Sequence, residues 1–215
     1  MGISEAEWKD RIENRSDITR ILTHLTRPDK SIDISKLDFA EINLKAVDNL
    51  IKILKDEVIN GSDNTGFING KTKAVCFQDA PLYGLIQNIE YELSRRITNP
   101  QEPLRYCGVG LSFMKQFIYK KQGRPVIYDN RDTAKHYLKP SEYWRIVSYD
   151  LSAKDNYIDW THEREWRVPG SLKFKSTNAH VILYNAQCYK YFLNHCPKNI
   201  LENIGGITTL RTLTF

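Results

Sequence analysis

The sequence predicts an α+β fold built on a largely antiparallel sheet. Helical periodicities dominate its first half, and short β-type runs divided by turn residues dominate the remainder. No composition shift or repeat divides the chain, and 215 residues are enough to bury a sizeable core, so residues 1–215 read as a single domain.

The elements follow in order. Residues 4–22 carry an intermittent helical pattern, making residues 1–20 an N-terminal helical segment. Ser4 suits an N-cap, Glu5 and Glu7 suit the positive end of a helix dipole, and Asn14–Asp17 invites a break. In Ile21 to Arg27, Leu22, His24 and Thr26 alternate with Thr23, Leu25 and Arg27, and Pro28 ends the run: a short strand. Residues 28–40 are polar and turn-rich. Val47, Leu50, Ile51 and Leu54 then fall at helical spacing within 44–54, and Gly61 follows soon after. Ala74 to Phe77 is a compact strand closed by Asp79-Ala-Pro81. Leu82, Leu85, Ile86, Ile89 and Leu93 form one stripe of a helix over 81–96. Beyond a linker at 99–103, strands are expected at 106–113, 125–128, 144–149, 165–168 and 179–184. A helix over 185–194 and a β-like tail over 207–215 complete the chain.

Composition excludes several classes. Hydrophobic residues make up 41% and charged residues 27%, an ordered globular profile. No apolar run approaches the roughly 20 residues that a membrane helix needs, and the polar N-terminal stretch is unlike a signal peptide. The expected location is cytoplasmic, with no membrane partner. Cys76, Cys107, Cys188 and Cys196 form no CxxC pair and sit among apolar or aromatic residues, so they read as buried thiols. The formal charge of +5 includes the cluster Lys115, Lys120, Lys121 and Arg124 and the pair Lys173 and Lys175, and it permits a nucleic-acid partner. Tyr119, Tyr128 and Tyr149 read as packing residues among twelve tyrosines.

The stretch WTHEREWRVPG, residues 160–170, concentrates charge before a Pro-Gly turn. Read as a strand over 162–168, it puts Glu163, Glu165 and Arg167 on one face and His162, Arg164, Trp166 and Val168 on the other. Trp166 and Val168 mark the second face as core. A carboxylate fixed on such a strand is suited to acid–base work, metal binding or stabilising a cationic transition state. The plain alternative is an ion pair of Glu165 with an arginine such as Arg167 or Arg145. No His, Asp and Glu set has metal-ligand spacing, so no metal is expected. Walker, GxSxG and GxGxxG motifs are lacking as well.

Three segments together resemble the ADP-ribosyltransferase fold of DarT-like toxins. They are Leu22-Thr-His-Leu-Thr26, Asp48-Asn-Leu-Ile-Lys-Ile-Leu54 and Glu165-Trp-Arg-Val-Pro-Gly170. Residues 74–82 and 108–113 look like segments of AbiGi-type abortive-infection proteins. The resemblance implies a split, mostly antiparallel sheet with flanking helices, and an NAD-dependent ADP-ribosyltransferase of a toxin or anti-phage system that modifies DNA or RNA, with a cognate antitoxin as a further partner. It assigns catalysis to Glu165, with Glu163 in the pattern of paired-glutamate transferases. It assigns NAD to His24, Leu25, Thr26, Arg27 and Asn49, with Asn49 at a helix start. The family's arginine has no matching position, leaving Arg27, Arg95 and Arg96 as candidates, and Pro28 to Val47 intervene where the family's first two segments adjoin. Two other readings stand beside it: a non-catalytic sensor or antitoxin that keeps the fold, and a metal-dependent nuclease using Asp159, Glu163 and Glu165.

Overall fold

The computed structural model describes residues 2–13, 15–99 and 103–214. Asn14 of the expected break, residues 100–102 of the linker and Phe215 of the tail lie outside them.

The chain runs α1 (Glu5–Glu13), β1 (Ile21–Leu25), α2 (Phe39–Asp56), β2 (Val58–Ile59), β3 (Ala74–Gln78) and α3 (Leu82–Thr98). It continues through β4 (Gly110–Met114), α4 (Lys115–Lys120), β5 (Arg124–Pro125), β6 (Ile127–Asp129), α5 (Arg131–Tyr137) and β7 (Ile146–Ser148). The last part holds β8 (Glu165–Pro169), β9 (Leu172–Lys173), β10 (His180–Leu183), α6 (Ala186–His195), α7 (Lys198–Leu201) and β11 (Ile207–Thr209). The class is α+β, as the sequence predicts. The main sheet has seven strands in the order β11-β10-β4-β1-β3-β8-β5. Its pairs β10·β4, β3·β8 and β5·β8 are antiparallel, and β10·β11 is parallel. No helix among the described residues is long and apolar enough to cross a membrane.

Several elements differ from the sequence pattern, for local reasons. Helix α1 ends at Glu13 and buries none of its residues, so no packing carries the helix on to residue 22. Ile21 and Leu22 join β1 instead, where Leu22 and Thr23 are buried. Helix α2 begins at Phe39, ahead of the apolar stripe, because Asp38 and Glu41 form a capping box. Asp38 accepts from the Glu41 N–H and Glu41 accepts from the Asp38 N–H. Such a cap is worth about 1 kcal/mol, whereas burial of Ile42, Val47, Leu50, Ile51 and Leu54 contributes roughly 1.5–3 kcal/mol each, so packing decides the helix and the cap its boundary. Strand β4 starts only at Gly110, since the Gly108 N–H is bonded to Asn43 Oδ1 at 3.0 Å rather than to a ladder. Trp144 and Arg145 fall in a 3₁₀ turn opened by Pro140, which leaves Ile146–Ser148 as the strand. The tail is β only over Ile207–Thr209 before a 3₁₀ turn buries Leu210.

The chain forms two compact units. The first comprises Met1–Leu22, Val58–Ala80 and Met114–Lys173, and the second comprises Thr23–Glu57, Pro81–Phe113 and Phe174–Phe215. In the first unit, β8 lies between β3 and β5, and the smaller pairs β2·β9 and β6·β7 complete its strands. Ile68, Ala74 and Trp144 pack together, with Cys76 against them. The Pro169-Gly170 exit of β8 relies on glycine: Gly170 has φ +75°, and its N–H donates to Lys73 O at 2.7 Å. In the second unit, α2 packs on α6 and α3 packs on the 3₁₀ turn at Leu210. Thr23 and Ser112 share a buried 2.7 Å hydrogen bond, and Phe113 meets Phe174 edge-on at 5.2 Å.

Candidate functional site

The charged stretch divides differently from a continuous strand. Thr161–Glu163 is a 3₁₀ turn, Arg164 takes the left-handed conformation (φ 44°, ψ 53°), and β8 begins at Glu165. Strict alternation therefore starts at Glu165 and leaves out Glu163, which sits half-buried in the turn. A non-glycine residue held at positive φ carries a local cost and persists because its surroundings fix it. Here the Asp79 N–H donates to the carbonyls of both Glu163 and Arg164, at 3.1 and 3.3 Å, and the Arg164 guanidinium donates to Asp17 O.

Both faces of β8 are buried, including the one expected to carry exposed charge. Glu165 and Arg167 are 6% and 2% exposed on one face, and on the other Val168 is 2% exposed, as core was expected there, while Trp166 is only half-buried. The charges tolerate burial because they cancel. Arg167 Nε donates to Glu165 Oε1 at 2.8 Å and Nη2 donates to Oε2 at 3.1 Å, a bidentate pair. Arg167 Nη1 donates to the carbonyls of Trp144 and Ile146 at 2.7 and 3.1 Å. Burial works against the guanidinium charge, but Glu165 and Cys76 together hold Arg167 above its ordinary value. Arg145, the other arginine considered for Glu165, instead reaches Pro125 O and Glu142.

Two further groups complete this cluster. The Tyr128 hydroxyl accepts the Glu165 N–H at 2.8 Å, and its own ionisation is pushed up to about 12, mainly by burial and then by the Glu165 and Glu163 charges. Burial likewise drives the Cys76 thiol well above its ordinary value, and Glu165, whose carboxylate it hydrogen-bonds, adds to the shift. Cys76 is therefore a neutral thiol. Glu163 and Glu165 thus share one locality, since both carboxylates act on Tyr128 and Cys76. Beside the turn, Asp79 Oδ2 pairs with Lys115 Nζ at 2.8 Å. Desolvation raises the Asp79 pKa against the pull of Lys115 and Arg164.

The remaining predicted site residues, His24, Leu25, Thr26, Arg27 and Asn49, all belong to the second unit. His24 and Leu25 are half-buried on β1, and the Gly110 backbone lies against His24 O so closely that a Cβ would stand 2.1 Å from it. Thr26 follows the strand. Its N–H donates to Val109 O at 2.8 Å, and its buried hydroxyl has no hydrogen-bond partner. Arg27 is exposed and donates to Leu104 O at 3.2 Å. Asn49 lies in the middle of α2 rather than at a helix start, because the capping box moves that start to Phe39. Its Nδ2 donates to Arg27 O at 2.8 Å, which anchors the segment after β1.

The third acid of the nuclease reading is engaged elsewhere: Asp159 Oδ1 accepts the Thr161 N–H and hydroxyl. Among the described residues no group of three or more His, Cys, Asp or Glu is arranged to hold a metal ion. Alternation pointed to Arg167 beside Glu165, but Tyr128, Cys76, Asp79 and Lys115 carried no motif that marked them. Asp79 directly follows β3, whose last residue Gln78 pairs with Glu165, and so meets this turn. Comparison with protein-family models, curated proteins and solved structures finds no match to this chain.

Proposed function

We propose that the chain is an NAD-dependent ADP-ribosyltransferase of a bacterial toxin or anti-phage system that modifies nucleic acid. One observation carries this reading: a Glu-x-Glu pair stands where a pinned turn becomes a rigid strand, with Glu165 immobilised and Glu163 half-buried just before it. Breaking the nicotinamide–ribose bond sends the bonding electrons out with neutral nicotinamide and leaves positive charge on the ribose. A carboxylate that is already oriented lowers that barrier without reorganisation. The acceptor then forms the new bond to the ribose carbon and releases a proton to solvent.

The geometry divides labour between the two acids. Arg167 cancels the Glu165 charge, so Glu165 orients the start of the strand, and its carboxylate retains lone pairs beyond the two that Arg167 uses. Glu163 lies outside that ion pair and supplies the negative charge opposite the ribose. NAD enters as a substrate.

A second reading, a non-catalytic sensor or antitoxin that keeps the fold, is favoured by the same bidentate pair, because a neutralised Glu165 is what a purely structural role requires. The test is nicotinamide release from NAD with single-stranded DNA or RNA present, together with the mass of the strand. Release by the wild type and its loss in Glu163→Gln is the expected result. No release from the wild type with either acceptor overturns the transferase and leaves the second reading.

A further inference from the structure

The region beside β8 that the chemistry above does not use is the α4–β5 segment. From residue 103 to residue 128 the sequence has no Asp or Glu, whereas Lys115, Lys120, Lys121 and Arg124 fall within ten residues. Helix α4 buries Ile118, which turns Tyr119, Lys120 and Lys121 outward. Tyr119 is 54% exposed, contrary to its expected packing role. One face of its ring is covered by Arg124, whose Cζ stands 3.9 Å from the ring centroid.

This stack is built in. Arg124 Nη1 donates to Tyr119 O at 3.1 Å and to Gly123 O at 2.7 Å. The turn between α4 and β5 is closed by Gly123, whose N–H donates to Ile118 O at 2.9 Å and whose missing Cβ would fall 2.4 Å from Ile118 Cγ2. Lys121 Nζ lies 5.6 Å from the Phe117 ring centroid. Acids near the segment come from other elements. Asp79 takes up Lys115, and Glu5, which Lys120 influences, is itself paired with Lys9 at 2.9 Å. Lys120, Lys121 and Arg124 therefore keep the positive charge of the segment.

We infer that the α4–β5 segment is a docking platform for single-stranded nucleic acid, with a base stacked at the Tyr119–Arg124 pair and phosphates on Lys120 and Lys121. A fixed aromatic and guanidinium surface among cations matches an unstacked base followed by its backbone, whereas a duplex offers no free base face. The platform adjoins the Glu-x-Glu turn within its unit: Arg124 and Pro125 are in register with Arg167 and Trp166, and the Val126 N–H donates to Glu165 O at 3.0 Å. The inference rests on the transferase reading for the purpose of the bound strand, not for its binding.

The test measures anisotropy of short labelled DNA and RNA single strands without NAD. Tyr119→Ala is expected to weaken binding about ten-fold or more, while Tyr119→Phe retains it. Lys120→Ala with Lys121→Ala is expected to flatten the slope of log affinity against log salt by about 1.4. Heparin, a polyanion without bases, is expected to lose affinity in the lysine variant and not in Tyr119→Ala. Strand affinities equal to wild type in both variants overturn the platform, as does wild-type binding to phosphatidylserine vesicles but not to strands. Nicotinamide release is measured on the same proteins. Release with unchanged strand binding in the variants removes the platform alone, and impaired strand binding without release from the wild type removes the transferase alone.

Discussion

Replacing Arg167 by Met tests the reading of the buried pair most directly. The substitution roughly keeps side-chain length but removes the guanidinium that pairs with Glu165, which is 6% exposed. A buried ion stripped of its partner costs about 3–5 kcal/mol, and the carbonyls of Trp144 and Ile146 lose their donor as well. Against a total stability of roughly 5–15 kcal/mol for a protein of this kind, that is a large fraction. Glu165→Gln is expected to cost less, about 1.5–3 kcal/mol, since an amide oxygen still accepts from Arg167. Glu165→Leu with Arg167→Met removes both charges and should be less damaging than Arg167→Met alone, giving a coupling of about 2 kcal/mol or more. Urea unfolding at neutral pH, read as midpoint and slope, supplies all these values. A loss below about 1 kcal/mol in Arg167→Met, or strictly additive effects, refutes the claim that the pair is a buried, mutually dependent unit.

Two other outcomes follow from the same neighbourhood. Burial raises the Asp79 pKa above its unfolded value, so the folded protein holds that proton longer than the unfolded chain does. Between the ordinary carboxylate value, roughly 4, and the raised value, stability from this group falls as pH rises. The difference in unfolding free energy between wild type and Asp79→Asn should change across that window and be flat above it; a difference flat throughout contradicts the raised pKa. Tyr128→Phe takes away the acceptor of the Glu165 N–H and should cost about 1–3 kcal/mol in urea unfolding. A neutral result means that this N–H has another acceptor.

How much of this could be read from the chain depends on how local each cause is. The α2 stripe of Val47, Leu50, Ile51 and Leu54 is a periodicity within one element and is therefore plain in the sequence. Asp38 and Glu41 also stand in capping-box spacing at its start, a local signal that the turn-rich reading of residues 28–40 passes over. The limit at Cys107–Val109 was not legible, because the competing bond comes from Asn43, far away in the chain. The same holds for the cluster at Glu165. Arg167, two residues on, follows from alternation, whereas Tyr128, Trp144, Ile146 and Cys76 arrive from separate elements.

The left-handed Arg164 had the largest consequence for the site, and no residue preference announces it, since glycine or asparagine would be the usual choice there. Without that residue Glu163, Glu165 and Arg167 share a face, and one arginine adjoins two acids. With it, Glu165 and Arg167 are the two of these three residues that share a face of β8, and they neutralise each other. Opposite charges two apart on a buried strand are therefore better evidence of mutual neutralisation than of a charged cleft. The acid displaced from the alternation, Glu163, is then the one to substitute first when the chemistry is tested.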